Sequence, residues 1–105
     1  MAQFDVYPNP DPHTNQRIPY LLEIQSDLLA VLKTTVLIPL YDPAEVDVPP
    51  VRGLMPVLEF EGRPLVLVTP ELTGVPRKRL PLKIGDLRQA RETVLAALDI
   101  LLTGI

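Results

Sequence analysis

The side chains most often recruited for acid–base and nucleophilic chemistry are scarce here: a single histidine, His13, a single serine, Ser26, and no cysteine. His13 lies beside Asp11 among Pro8, Pro10 and Pro12. A metal or a general base at this position needs further ligands or a substrate-facing partner, and the stretch reads more simply as a solvated loop. Ser26 has no evident base to activate it. The glycine and histidine patterns of nucleotide-binding loops, dinucleotide folds, zinc hydrolases and serine hydrolases are absent. No catalytic residue, metal ligand or cofactor is therefore assigned. The charged clusters are of another kind. Arg77-Lys78-Arg79, with Lys83 nearby, is the only basic group, suited to an acidic partner or nucleic acid, or simply a solvated turn between Pro76 and Pro81. No aromatic residue lies around it for base stacking. Asp42, Glu45 and Asp47 form an acidic loop suited to a basic partner segment or to solubility alone.

The rest of the chain must position these groups. Its 105 residues make one domain, 1–105, and 47% hydrophobic composition is enough for a core. A core this small is modest, and pairing two copies would bury more surface. A net charge of −3 speaks against strong direct binding to nucleic acid. The beginning lacks the basic and apolar regions of a secretory leader, and no apolar run is long enough for a bilayer, so a cytoplasmic protein without a membrane partner is expected.

The thirteen prolines are dispersed between apolar segments and act as punctuation. Strands are predicted at residues 3–7, where Phe4 and Val6 share a face, at 19–25 and at 34–40. Pro39 suggests a sheet edge or a bulge for the last of these. Residues 28–32 fit either a helical turn or a strand end. Residues 57–60 and 63–69, joined by Glu61-Gly62, form the clearest hairpin. Residues 72–82 contribute at most one more short strand, and 8–15 and 41–50 are loops. Residues 87–102 lack proline and glycine. Leu87, Ala90, Val94, Ala97, Leu98 and Leu101 recur there at helical spacing, with Asp86 and Gln89 as a capping box and Gly104 as the stop. The expected fold is mainly β with one C-terminal helix.

Gln3-Phe4-Asp5-Val6-Tyr7, Ile24-Gln25-Ser26-Asp27, Val36-Leu37-Ile38-Pro39-Leu40, and the stretch from Met55-Pro56-Val57 through Thr69 to Gly74-Val75-Pro76 occur in a telling order. With Asp86-Leu87, a helix and a terminal Gly104-Ile105, the chain resembles the CcdB family of toxins from bacterial toxin–antitoxin pairs. The resemblance implies an SH3-like barrel with a small additional antiparallel sheet and the C-terminal helix, assembled as a homodimer. It also implies a protein that binds the DNA gyrase A subunit and traps gyrase on cleaved DNA, without being an enzyme, until a cognate antitoxin neutralises it.

Residue by residue, the resemblance places gyrase contacts at Thr103, Gly104, Ile105, Asp99, Leu102, Leu28 and Leu29. Leucines at 28 and 29 could equally be core. Antitoxin contacts are assigned to Asp42, Glu45, Asp47 and Arg77. The family ends in Trp-Gly-Ile, and Thr103 stands where that tryptophan would be. Asp99 replaces an asparagine, and Leu102 a residue that is aromatic in many relatives. Two alternatives follow: a CcdB-like fold whose target is lost or changed but which still binds an antitoxin, and a ribonuclease toxin of related barrel fold.

Overall fold

The computed structural model describes residues 2–47 and 51–104. Alternation along the strands decides which side chains meet. In β1 (Asp5–Pro8), β2 (Tyr20–Glu23) and β3 (Thr34–Tyr41), Val6, Leu22, Ile38 and Leu40 share one interior face. The β4 (Val57–Phe60) and β5 (Arg63–Leu67) hairpin adds Leu58, Phe60, Leu65 and Leu67 to the same core. Val66 turns the other way and, with Met55 and Val68, forms a second small cluster against Tyr41, Val46 and Leu54. The hairpin turn has φ 52° at Glu61 and 78° at Gly62. Positive φ at both central residues is the turn whose twist suits a two-residue hairpin.

β6 (Thr73–Pro76) and β7 (Gly85–Asp86) complete a seven-stranded sheet in the order β4-β5-β3-β2-β1-β7, with β6 pairing β3. Every pairing is antiparallel. The sheet curls into a half-barrel closed by a C-terminal helix, which is the mainly β architecture the sequence led us to expect. β1 is shifted from the predicted 3–7, starting at Asp5 because Phe4 takes φ 71° in a turn before it, and running on to Pro8. Its ring nevertheless joins Val6 in the core.

The edge position expected from Pro39 is not what occurs: β3 is central. One side pairs with β2, where Pro39 faces Leu21; the other pairs with β6 up to Leu37 and with β5 from Leu40. The carbonyl of Pro39 accepts from the Val68 amide at 3.1 Å on that second side. A strand residue directs its N–H and C=O to the same side. The missing proline donor therefore falls where one partner strand ends and the next begins, so a central strand tolerates it.

The helix is α1, Arg91–Thr103, preceded by a 3-10 turn at Arg88–Ala90. The capping box expected from Asp86 and Gln89 does not form at the α-helix, whose N-cap is Ala90 without a side-chain bond. Asp86 lies in β7 and instead accepts from the Arg88 amide at 3.1 Å, while the N-cap of the 3-10 turn is Leu87. Val94 and Ala97 are fully buried against the sheet core, flanked by Ala90 and Leu98. Gly104 stops the helix in the left-handed region, φ 77°, and its amide donates to the Ile100 carbonyl at 2.9 Å.

Asp5 ties the helix entry to the sheet. Its carboxylate is buried and accepts from the Ala2 amide at 2.7 Å, with Arg88 at 3.2 Å and Lys83 at 3.6 Å. Closer packing occurs at Gly85, where a Cβ would lie 2.8 Å from two atoms of the Phe60 ring. That ring is itself held edge-on to Tyr20 at a centroid separation of 5.2 Å. Gly85→Ala is thus expected to destabilise the fold by about 1–3 kcal/mol, the usual cost of overpacking. Urea unfolding checks this, and an unchanged midpoint would contradict the packing argument.

Candidate functional site

Two exposed surfaces carry the residues singled out in the sequence. The first is the end of α1. Asp99, Leu102 and Thr103 are exposed, and spacings of three and four residues put them on one side of the helix. Leu102 is 74% exposed, a large apolar side chain offered to solvent. The Thr103 hydroxyl donates to the Asp99 carbonyl at 2.6 Å, so it turns back onto its own helix. Gly104 follows on the same exposed tip. The tip is seated by Gly53, whose φ of 86° brings its backbone so near Ile100 that a Cβ would sit 3.0 Å from the Ile100 Cδ1. Ile105 lies outside the described residues.

The second surface is the segment 26–33 between β2 and β3. The ambiguity there resolves to a 3-10 turn at Asp27–Leu29, with the Ser26 hydroxyl accepting from the Leu28 amide at 3.2 Å. Its leucines are not core. Leu28 is 91% and Val31 90% exposed, and Leu29 and Leu32 are each 44% exposed. An apolar group of this kind, ordered yet turned outward, is the usual mark of an interaction site. Sequence reasoning named Leu28 and Leu29 but not Val31 and Leu32. The available signal was an apolar run matching neither the two-residue nor the helical period after Ser26-Asp27. Among the described residues no hydrogen bond or ion pair joins this segment to residues 99–104.

Polar groups hold the segment. The Asp27 carboxylate accepts from the Gln3 amide at 2.7 Å, and the Gln25 side chain donates to the Thr34 carbonyl at 3.0 Å. Arg77, in the 3-10 turn Arg77–Arg79 after β6, donates through Nε to the Leu32 carbonyl at 2.8 Å and through Nη2 to the Leu29 carbonyl at 3.4 Å. Its Nη1 meets the Glu23 carboxylate at 3.0 Å. Glu23 is only 1% exposed, and it also accepts from the hydroxyls of Tyr7 and Thr35, each at 2.7 Å. A buried charge requires such pairing. Burial, and then the bond to Glu23, raise the Tyr7 phenol well above its ordinary range. Glu23 went unnoticed in the sequence, although a carboxylate within Leu21-Leu22-Glu23-Ile24 is a legible sign of an interior partner.

The remaining candidates divide by how far they are already engaged. Asp42 caps the 3-10 turn Pro43–Glu45 through the Ala44 amide at 2.9 Å and pairs with Arg63 at 3.1 Å. These bonds, the amide first, hold its carboxyl below the usual range. Glu45 and Asp47 are exposed and line a cleft of about 320 Å³ with Tyr41, Val46, Met55 and Glu71. Tyr41 donates to Glu71, and burial followed by this bond pushes its phenol up to about 12. Lys78 and Arg79 are exposed whereas Arg77 is turned inward. His13 is exposed and its amide donates to Asp11 at 2.9 Å, a local turn. Among the described residues no cluster of three or more histidine, cysteine, aspartate or glutamate side chains could hold a metal ion, and no helix is long and apolar enough to cross a membrane.

The architecture is thus a half-barrel of antiparallel strands that exposes a helix tip and an apolar loop. The family model described as CcdB protein matches residues 3–104, and the chain belongs to the CcdB family. This is a family of toxins from toxin–antitoxin systems, inhibitors rather than enzymes, and membership implies an antitoxin partner. No curated protein matches the chain significantly.

The tyrosines give a pH dependence of definite sign. An unfolded chain ionises tyrosine near about pH 10, whereas Tyr7 and Tyr41 keep their protons in the fold. The folded state then binds more protons, so this stabilisation is complete below about pH 10 and declines as the pH rises beyond it. Urea unfolding between about pH 9 and about pH 11 is expected to show that decline, with a shallower slope for Tyr7→Phe. Equal slopes for the two proteins would refute the assignment to Tyr7.

Proposed function

We propose that this protein is a cytoplasmic toxin that acts as a homodimer of a single 1–105 domain. It binds the gyrase A subunit and holds gyrase on cleaved DNA. The observation that carries this reading is the exposed tip of α1, where Asp99, Leu102, Thr103 and Gly104 stand clear of the core at the positions to which the resemblance assigns the gyrase contact. Ile105 would extend that contact, and Leu28 and Leu29 would supply its apolar flank. A cognate antitoxin would meet the acidic loop, chiefly through the exposed Glu45 and Asp47. Asp42 and Arg77 would contribute by shaping the neighbouring main chain, since both are engaged within the fold.

One observation favours a second reading, an antitoxin-binding protein that does not poison gyrase. Thr103 occupies the tryptophan position, and its hydroxyl is satisfied by its own helix. An aromatic ring over a guanidinium in a desolvated contact contributes about 2 kcal/mol, or roughly thirtyfold in affinity. Threonine supplies neither the ring face nor the area.

A gyrase cleavage assay with supercoiled plasmid and ATP separates the readings. The natural protein is expected to accumulate linear DNA, and Thr103→Trp to do so at a concentration lower by roughly ten- to a hundredfold. Loss of linear DNA after removal of Gly104 and Ile105, in a protein that stays folded, would locate the activity at the tip. If neither the natural protein nor Thr103→Trp traps cleaved DNA while both bind an antitoxin, the second reading replaces the first.

A further inference from the structure

We propose that Arg77 is a positioning residue: seated on the buried Glu23 carboxylate, it holds the main chain of residues 26–33 so that Leu28, Leu29, Val31 and Leu32 stand outward as a contact surface. The inference rests on the proposed use of this segment as a partner-facing surface.

At its start the segment is tied to the rest of the fold by the Asp27 carboxylate, which accepts from the Gln3 amide at 2.7 Å. Leu28 and Val31 point to solvent and Leu29 and Leu32 are only partly covered, so the hydrophobic effect that fixes an ordinary loop acts on the segment weakly. Its own bonds are short-range: Leu29 to Ser26, Ala30 to Asp27 and Leu32 to Leu29, the weak geometry of a 3-10 turn. Arg77 supplies the long-range restraint over residues 29–33, beyond the reach of Asp27. Its amide donates to the Lys33 carbonyl at 2.8 Å, while its guanidinium reaches the carbonyls of Leu32 and Leu29. The far end of that guanidinium is fixed at 3.0 Å by Glu23, which sits in β2 among Tyr7 and Thr35 and cannot shift without breaking those bonds. The geometry uses what distinguishes arginine from lysine, a rigid fork that serves a carboxylate and carbonyls together. Lys33, Thr34, Pro76, Arg77 and Lys78 line a cleft of about 480 Å³ along this seam.

Arg77→Lys separates positioning from support of the fold. A lysine ammonium keeps a positive charge near Glu23 but cannot span both carbonyls. The expected result is a melting temperature close to that of the natural protein, amide exchange at Leu29, Ala30 and Leu32 at least tenfold faster, exchange in β3 unchanged, and at least tenfold weaker binding to purified gyrase A subunit. A second protein, Glu23→Leu with Arg77→Met, removes both charges together and is expected to show the same loosened segment on a folded sheet. Natural exchange at 29–32 in either folded variant, or acceleration matched equally in β3, overturns the proposal. If the natural protein does not bind gyrase A yet exchange changes as expected, the restraint by Arg77 stands and the gyrase reading falls.

Discussion

The carboxylate of Glu23 is the constraint on which most of the molecule depends. It lies in β2 with 1% exposure, and its partners come from β1, β3 and the turn after β6. An unpaired carboxylate at that depth would cost several kcal/mol, so the surrounding elements have one arrangement in which it is satisfied. Tyr7 must reach it from β1, Thr35 from β3, and Arg77 from the far end of β6. Pairing of this kind contributes less to net stability than to uniqueness, because apolar side chains of similar volume could fill the same space. Here it selects the strand order at the centre of the sheet and, through Arg77, the path of the following loop.

The sheet and helix were legible because each depends on local signals. Val6, Leu22, Ile38 and Leu40 recur with the strand period, and the Glu61-Gly62 connector specifies its own turn. Val94 and Ala97 recur with the helical period, and Gly104 ends the helix as glycine does. The failures have a common cause. Pro39 implied an edge because a lone strand cannot reveal that its neighbour changes from β6 to β5 at that residue. Asp86 was assigned to a helix cap because sequence alone does not show β7, which claims it first. Both are consequences of tertiary pairing overriding a local preference.

The candidate surfaces were legible only in part, and for a different reason. Leu28 and Leu29, Asp99, Leu102 and Thr103 were reached through family resemblance, since an exposed leucine and a core leucine look identical in a sequence. The burial pattern, not the residue type, distinguishes them: Leu22 is wholly enclosed and Leu28 is 91% exposed. Arg77 shows the converse. Within Arg77-Lys78-Arg79 it reads as one of several surface cations, yet it alone turns inward, because β6 ends opposite Thr34 and places residue 77 beside both Glu23 and the carbonyls of 29–33.

The end of α1 differs from the loop in how it is held, and this bears on what variation it can absorb. The helix is fixed at its start, by Asp5 through Arg88, and along its buried side by Val94 and Ala97. Its last turn contributes little to the core: Leu102, Thr103 and Gly104 are exposed, and Thr103 spends its hydroxyl on Asp99 of the same helix. A substitution at 103 therefore removes at most an exposed bond within one turn and leaves every interior contact as it was. The fold is then free to persist whatever side chain stands at 103. The loop is held differently, by Arg77 seated on the buried Glu23 carboxylate and bonded to the carbonyls of Leu32 and Leu29. Residue 103 can therefore vary without cost to the interior, whereas residue 77 cannot be exchanged without altering how the loop is held.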